Sequence, residues 1–372
     1  MNSTNGLAGL KMGIKFQIDP DIRNAHTLSS SFYRDRDIFE ECKEKVFAKS
    51  WQFVSDTGVV KIPGQIYPFN LLDGYINEPL ILTRDQNDKI HCLSNVCTHR
   101  GNIVVEAPCN LNALKCRYHG RRFELDGKFK SMPEFQDCED FPTEADNLSQ
   151  VNFEQWNGFI FVSLDPSHSL KDYLKPIEDR LGWFPFDRLK FEPSRSRDYL
   201  VKANWALYCD NYLEGFHIPF VHSGLNAALD YGEYKSEIYD YCNLQLGISD
   251  KGEDTFVLPK DSPDHGKDVS AYYYWIFPNM MFNFYPWGLS INIVIPISFN
   301  LTKVSFLTYV SDPGALDKGA GAELDKVERE DEEIVEMVQK GINSRYYKSG
   351  RYSPKMEQGV HHFHRLLAEF LG

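Results

Sequence analysis

Two short Cys-His pairs constrain this chain more than anything else in it. They read Cys97-Thr98-His99 and, sixteen residues later, Cys116-Arg117-Tyr118-His119, with Gly101 and Gly120 close behind. Thiolate and imidazole at such spacing is metal-ligand chemistry. A glycine after each pair suits a turn that needs positive φ or close backbone approach. A Cys2His2 zinc site is one reading. The mixing of both ligand types in each arm favours another, in which two cysteines hold one iron and two histidines hold a second.

The surrounding residues suit a small β unit. From Trp51 to about 165 the chain runs in short alternating segments, punctuated by Pro63-Gly64, Asp73-Gly74 and Asp126-Gly127, the pattern of antiparallel hairpins. Ahead of it, residues 25–50 form a helix-bearing arm, with Phe39, Cys42, Val46 and Phe47 at helical spacing behind Asp35 and Asp37. From 166 onward the pattern is mixed. It predicts a helix over 199–218, strand-like runs at 233–248 and 270–297, a loop at 250–268, a strand at 302–310 and two C-terminal helices.

Composition limits the partners. The 372 residues suggest two domains, and 42% hydrophobic residues are enough for a real core. A net charge of −13 argues against nucleic acid, which needs a basic face. The absence of an 18-residue apolar run or a signal-like segment predicts no membrane span and a cytoplasmic protein. In that reducing compartment cysteines bind metal or stay thiols. Cys109 reads as a loop or core thiol, and Cys92, Cys138, Cys209 and Cys242 as buried small hydrophobes.

A second constellation lies in the mixed half. Within Asn204–His217, Asp210, Glu214 and His217 fall at i, i+4 and i+7, one helical face. His222 is five residues beyond His217, about 140° away on an ideal helix. Pro219 is expected to end the helix and let both rings reach one metal. Two imidazoles with one carboxylate suit non-haem Fe(II) with positions open for O2. The carboxylate must come from elsewhere, and the helix carrying Glu330 and Asp331 is the candidate. Residues 323–336 hold eight acids in fourteen positions, so a solvated face is expected for most of them. His361 and His364 share a face of the last helix and could bind metal, although packing is the plainer role. His26 and His91 read as structural, His168 and His265 as loop residues. Nine aromatics lie within Tyr272–Trp287. Alternate ones should pack on a helix, and the others could wall a pocket for a flat ring or a quaternary ammonium group.

Together the Cys-x-His-(x16)-Cys-x-x-His pattern, Tyr118-His119-Gly120 and Phe123–Lys128 resemble the Rieske [2Fe-2S] domain of ring-hydroxylating-type oxygenases. The runs Asp210–His222 and Glu330–Gly341 look like the catalytic domain of their α subunits, and the resemblance extends from about residue 25 to 370. It implies an α+β fold: an N-terminal arm (1–46), a small antiparallel β Rieske domain (47–165), and a catalytic domain (166–372) whose antiparallel sheet wraps around helices in a helix-grip, START-like manner. Cys97 and Cys116 would bind one iron of a [2Fe-2S] cluster, and His99 and His119 the other. His217, His222 and Asp331 would bind a mononuclear Fe(II), with Glu330 the alternative should the register shift by one. Glu214 matches a bridging carboxylate, usually Asp, that links the iron-bound histidine to a cluster histidine, here His119, of the neighbouring subunit in a head-to-tail homotrimer. Asp210 would support catalysis directly or from behind.

The same resemblance implies a monooxygenase or dioxygenase component that activates O2. Its electrons would come from NAD(P)H through a separate flavin and iron–sulfur reductase, since this chain has no G-x-G-x-x-G fingerprint. Phe277–Asn283, Pro286-Trp287 and Ile293–Pro296 look like the choline, carnitine and glycine-betaine monooxygenases, which points to a quaternary ammonium substrate. An aromatic or other apolar substrate is the alternative, and a non-catalytic electron carrier a distant third. Asn102 and Arg117-Tyr118 stand where the respiratory version has extra cysteines, and Arg121 where it has a serine. Fewer donors to the sulfurs put the expected potential near the low end of roughly −150 to +300 mV.

Overall fold

The computed structural model describes residues 16–222, 235–249, 254–316 and 324–372. The first fifteen residues of the arm, the start of the 233–248 run, the first part of the 250–268 loop and Glu323 lie outside them. In the arm, Asp35 caps α1 (Arg36–Cys42) by accepting from the Asp37 N–H at 2.8 Å. The helix continues as a π-turn to Phe47, whose ring meets Trp205 edge-on at 4.8 Å.

Small antiparallel sheets follow. Strands β1 (Gln52–Asp56), β9 (Asn152–Trp156) and β10 (Phe159–Ser163) form one, in the order β1-β10-β9. β2 (Gln65–Leu71), β3 (Glu78–Arg84), β4 (Ile90–Ser94) and β5 (Cys109–Asn110) form a second, in the order β4-β3-β2-β5. β6 (Leu114–Lys115), β7 (Arg122–Phe123) and β8 (Phe129–Ser131) form a third. Ile66, Ile81, Leu93, Leu114, Phe123 and Leu125 make a separate apolar core beneath the two Cys-His turns. Sheet β1-β10-β9 belongs instead to the main core, where Phe53 and Phe161 each lie 6.2 Å from Phe282.

After α2 (Leu170–Leu181), an eight-stranded antiparallel sheet dominates the rest. Its strands are β11 (Lys190–Phe191), β12 (Arg197–Val201), β13 (Lys235–Ile238), β14 (Cys242–Ile248), β15 (Val269–Ile276), β16 (Met280–Tyr285), β17 (Gly288–Ser298) and β18 (Leu301–Val310). The order is β11-β18-β17-β16-β15-β14-β13, with β12 also on β18. Period-two alternation divides the residues between two faces. On one, Tyr274, Phe282, Phe284 and Tyr309 pack toward β1, β10 and the Phe184–Phe186 turn. The other carries the cross-strand row Gln245–Tyr273–Asn283–Ser290, and beside it Asn243–Trp275–Met281–Asn292–Phe306. The helices α3 (Trp205–Tyr212), α4 (Ile218–Val221), α5 (Leu324–Ile342) and α6 (Gln358–Leu371) complete the chain. Trp275 meets Phe363 of α6 at 5.1 Å, and the Tyr212 hydroxyl donates to Asn283 Oδ1 at 2.6 Å, which puts α3 and α6 on this second face.

The expected single helix over 199–218 is not formed. Residues 197–201 pair with 302–306 as β12, and Asn204 caps a helix that ends at Tyr212. Pro219 does not end it either. It occupies the first turn of α4, where a missing N–H costs nothing. Cys138 is exposed rather than buried, because it sits in the turn-rich 132–141 stretch, which has no strand to pack beneath. No helix among the described residues is long and apolar enough to cross a membrane.

Close packing between α3 and α6 is fixed at Gly359 of α6. A Cβ there would lie 2.4 Å from the Leu213 carbonyl oxygen, at the C-cap of α3. Gly359→Ala should therefore force α3 and α6 apart and destabilise the fold by about 1–3 kcal/mol, read as a lower denaturant midpoint in equilibrium unfolding.

Candidate active site

The two Cys-His turns are built alike. In the first, the Gly101 N–H donates to the Cys97 carbonyl at 3.0 Å and the Cys97 N–H to Asn102 O at 2.8 Å. In the second, Gly120 donates to Cys116 at 3.0 Å and Cys116 to Arg121 O at 2.8 Å. Both glycines have positive φ, +69° and +77°, as the tight return requires. Cys97 and Cys116 are buried, His119 is exposed, and the rings of His99 and His119 lie 4.7 Å apart. Burial and the adjacent Cys116 raise the Cys97 thiol above its ordinary value, and burial with His119 lowers His99. A buried thiol pair and an imidazole pair at one turn junction fit the donor set of a two-iron cluster.

Sequence reasoning missed two supports of this junction. The Asn102 amide donates to Cys116 Sγ at 3.6 Å, so the sulfurs do have a side-chain donor. Buried Arg121 binds Asp146 Oδ1 at 2.5 Å and lies over the rings of Phe129 and Phe141, anchoring the second turn.

The second constellation converges across the fold. Asp331 Oδ1 of α5 lies 3.0 Å from His222 Nε2 and 3.5 Å from His217 Nε2. The three ligand atoms lie within 4.8 Å of one another. Each imidazole has a second carboxylate on its other nitrogen: Glu214 Oε1 at 2.7 Å from His217 Nδ1, and Glu330 Oε2 at 2.8 Å from His222 Nδ1. With a metal on the Nε2 atoms, those contacts would hold the ring protons on Nδ1, the arrangement that orients metal-bound histidines. Burial opposes charge on His222, but Asp331 and Glu330 outweigh it and raise its pKa. Two imidazoles and one carboxylate converging in this way fit the donor set of a divalent iron.

Glu214 is held by its own turn. Its Oε2 accepts the N–H groups of Phe216 and His217, the latter at 3.1 Å. Glu330 becomes the partner of His222, a role no sequence spacing indicated. Asp210 is turned elsewhere. It accepts from Tyr33 at 2.9 Å and pairs with His364 Nε2 at 2.8 Å, while Tyr352 contacts His364 Nδ1 at 2.6 Å. That places His364 in a buried network joining the arm, α3 and α6. His361 Nε2 meets Asp19 O at 2.7 Å, so the two histidines do not share a metal.

A cavity of about 130 Å³ opens beside the triad. Its walls include Tyr212, Tyr273, Tyr285 and Phe306, the polar Gln245, Asn283, Ser290 and Asn292, and the acids Glu214, Glu328 and Asp331. The acidic stretch of α5 is accordingly not a solvated face. Among its seven described acids only Glu333 is exposed. Asp325 bonds Tyr199, Glu328 bonds Tyr208, and Glu336 accepts the Lys202 N–H, because α5 lies across the unpaired donors ahead of α3.

Residues 186–372 match the family of the ring hydroxylating alpha subunit (catalytic domain), and residues 50–142 the Rieske [2Fe-2S] domain. The chloroplastic choline monooxygenase of Arabidopsis thaliana is 30% identical over 94% of this chain and 85% of its own length. The carnitine monooxygenase oxygenase subunit of Escherichia coli is 27% identical over 93% of this chain and 94% of its own. Among solved structures, a quaternary ammonium Rieske monooxygenase bound to an inhibitor superposes with a TM-score of 0.78 at 23% identity, covering 96% of this chain and 99% of that one. Naphthalene 1,2-dioxygenase with indole bound gives 0.71 at 19% identity, covering 93% and 92%.

Replacing Asp331 by Ala should abolish mononuclear iron while leaving the visible spectrum of the cluster intact, as read by iron analysis alongside absorption. Glu330→Ala should keep the site but lower its iron affinity by about 10–100-fold, measured by Fe(II) titration.

Proposed function

The chain belongs to the family of ring-hydroxylating α subunits that carry a Rieske [2Fe-2S] domain, and from that premise we propose that it hydroxylates a quaternary ammonium compound. As a member it is an oxygen-incorporating oxidoreductase, and Rieske oxygenases work with a separate reductase. In our reading Cys97 and Cys116 hold one cluster iron, His99 and His119 the other, and His217, His222 and Asp331 hold the mononuclear iron. When bound, these centres supply single electrons and O2 activation. The domains run from about 47 to 165 and from 166 to 372, behind the 1–46 arm.

The protein's own side chains prepare the site. Glu214 and Glu330 hold the Nδ1 protons of the two histidines and so fix the tautomer that offers Nε2. Tyr212, Tyr273, Tyr285 and Phe306 surround the space beside the triad and exclude water from it. The observation that carries the substrate class is this aromatic wall combined with buried acid. Each ring face attracts an alkylammonium by about 0.5–2 kcal/mol, whereas an apolar ring would offer nothing to the unpartnered Glu328 Oε1. Hydroxylation at a carbon next to nitrogen would release an amine and an aldehyde, and at an alcohol carbon would give an aldehyde hydrate.

A head-to-tail homotrimer, with Glu214 facing a neighbour's His119, completes the reading. Its support is that exposed Phe216 and Phe220 flank His217, and exposed Tyr118 stacks at 3.7 Å on His119, so each centre has apolar surface beside it. All eight cysteines are free of disulfides, which suits a cytoplasmic setting.

Reconstituted with a reductase, the enzyme should carry three irons per chain and consume O2 in step with choline, carnitine or glycine betaine. Turnover of indole or naphthalene, with none of the three cations oxidised, would reverse the substrate assignment. Glu214→Gln should retain both metal centres and the trimer but slow oxidation of the reduced cluster in a single turnover, followed by stopped-flow absorption.

A further inference from the structure

Glu328 has no part in holding the metal ligands, yet it is buried in the cavity wall. It lies on α5 one turn before Asp331 and is 5% exposed. Its Oε2 accepts the Tyr208 hydroxyl at 2.6 Å, while its Oε1 has no partner. A buried acceptor left unpaired is costly, and a native site that keeps one calls for a partner from solution. Among the described residues no cation is placed to serve. The charged and titratable groups around it are Tyr208 from α3 and Asp331, Glu332 and Asp325 on α5, and neighbouring Arg329 turns outward to Asp325 at 3.2 Å. Burial, with those acids, raises the Glu328 carboxyl to about 8, so a cation that binds beside it displaces its proton to solvent.

The rest of the cavity agrees in sign. Its described lining contains Glu214, Glu328 and Asp331 but no Lys or Arg. A zwitterion's own carboxylate would find no Lys or Arg in that described lining and would meet the free oxygen of Glu328 instead. Neutral amides of Asn283 and Asn292 are present for a hydroxyl.

We propose that Glu328 Oε1 is the counter-charge for the substrate's ammonium group, and that the substrate is a net cation without a carboxylate, of the quaternary ammonium alcohol class. This rests on the quaternary ammonium reading above and narrows it. Glu328 is then a specificity residue: the tyrosines supply contact area, and the carboxylate selects charge over shape.

The test is calorimetric binding to the full-length, metal-loaded protein of three probes: choline, its neutral isostere 3,3-dimethylbutan-1-ol, and glycine betaine. The unsubstituted protein should bind choline at least about 30-fold more tightly than either of the others, the scale expected when one partner of a buried charge pair is missing. In Glu328→Gln, choline should weaken by about 30-fold or more while the isostere changes by less than about threefold, and Glu328→Asp should recover part of the loss. A purely structural role would weaken choline and isostere alike, and would overturn the proposal. Should Glu328→Gln fail to fold, the three-probe ladder of the unsubstituted protein decides alone, with equal binding of choline and isostere overturning it. Tighter binding of glycine betaine than choline sinks this inference and leaves the quaternary ammonium reading standing. Binding of neither choline nor glycine betaine sinks both.

Discussion

One contact organises the catalytic half of this protein: a single carboxylate oxygen of Asp331 facing the Nε2 atoms of both His217 and His222. Those residues are 109 positions apart for the nearer pair, so the eight-stranded sheet and its helices must be in place before the triad exists. The chain secures that contact through polar anchors along α5. Asp325 takes Tyr199, Glu328 takes Tyr208, Glu336 takes the Lys202 N–H, and Gln339 takes the Asn204 N–H at 2.7 Å. The last two satisfy backbone donors just ahead of α3, of which the Asn204 N–H would otherwise be buried and unpaired. One set of bonds thus closes a helix start and aligns the face of its neighbour that carries Asp331.

How much of this was legible depends on range. The Cys-His turns were readable because ligand, spacing and glycine all lie within five residues of one another, and a local turn fixes their geometry. Asn102 on Cys116 was not, because a side-chain bond between two turns leaves no periodic trace. In the second site, the short interval from His217 to His222 was informative, whereas the carboxylate had to be chosen between adjacent Glu330 and Asp331. The structure shows why spacing could not choose: both reach the same ring, Glu330 at Nδ1 and Asp331 at Nε2. The expected 199–218 helix failed for a tertiary reason. Tyr199 and its neighbours gain a full strand ladder with β18, which outweighs weak local helix preference.

The aromatic segment shows the limit of period-two reasoning. Alternation requires that Tyr272 and Tyr273 face opposite ways, but which face holds the helices cannot be read until both layers are known. Packing settles it. Phe284 and Phe282 are enclosed by Phe184, Phe161 and Phe53, so their row is closed core. Tyr273, Asn283 and Ser290 are left to line the cavity, and Tyr212 on α3 reaches down to Asn283. The polar row is therefore wall, not defect.

Asp210 and Glu214, one helical turn apart in sequence, show how position divides labour. Had α3 continued, both carboxylates would share a face and crowd one metal. The helix stops at Tyr212, and the Gly359 backbone packs against Leu213 just beyond it. That break swings Glu214 into the His217 turn and leaves Asp210 with Tyr33 and His364, tying the arm to the C-terminal helix. Glu214 is free to orient the His217 ring, because Asp210 already has its partners at a distance. The early end of one short helix thus separates a structural carboxylate from a functional one.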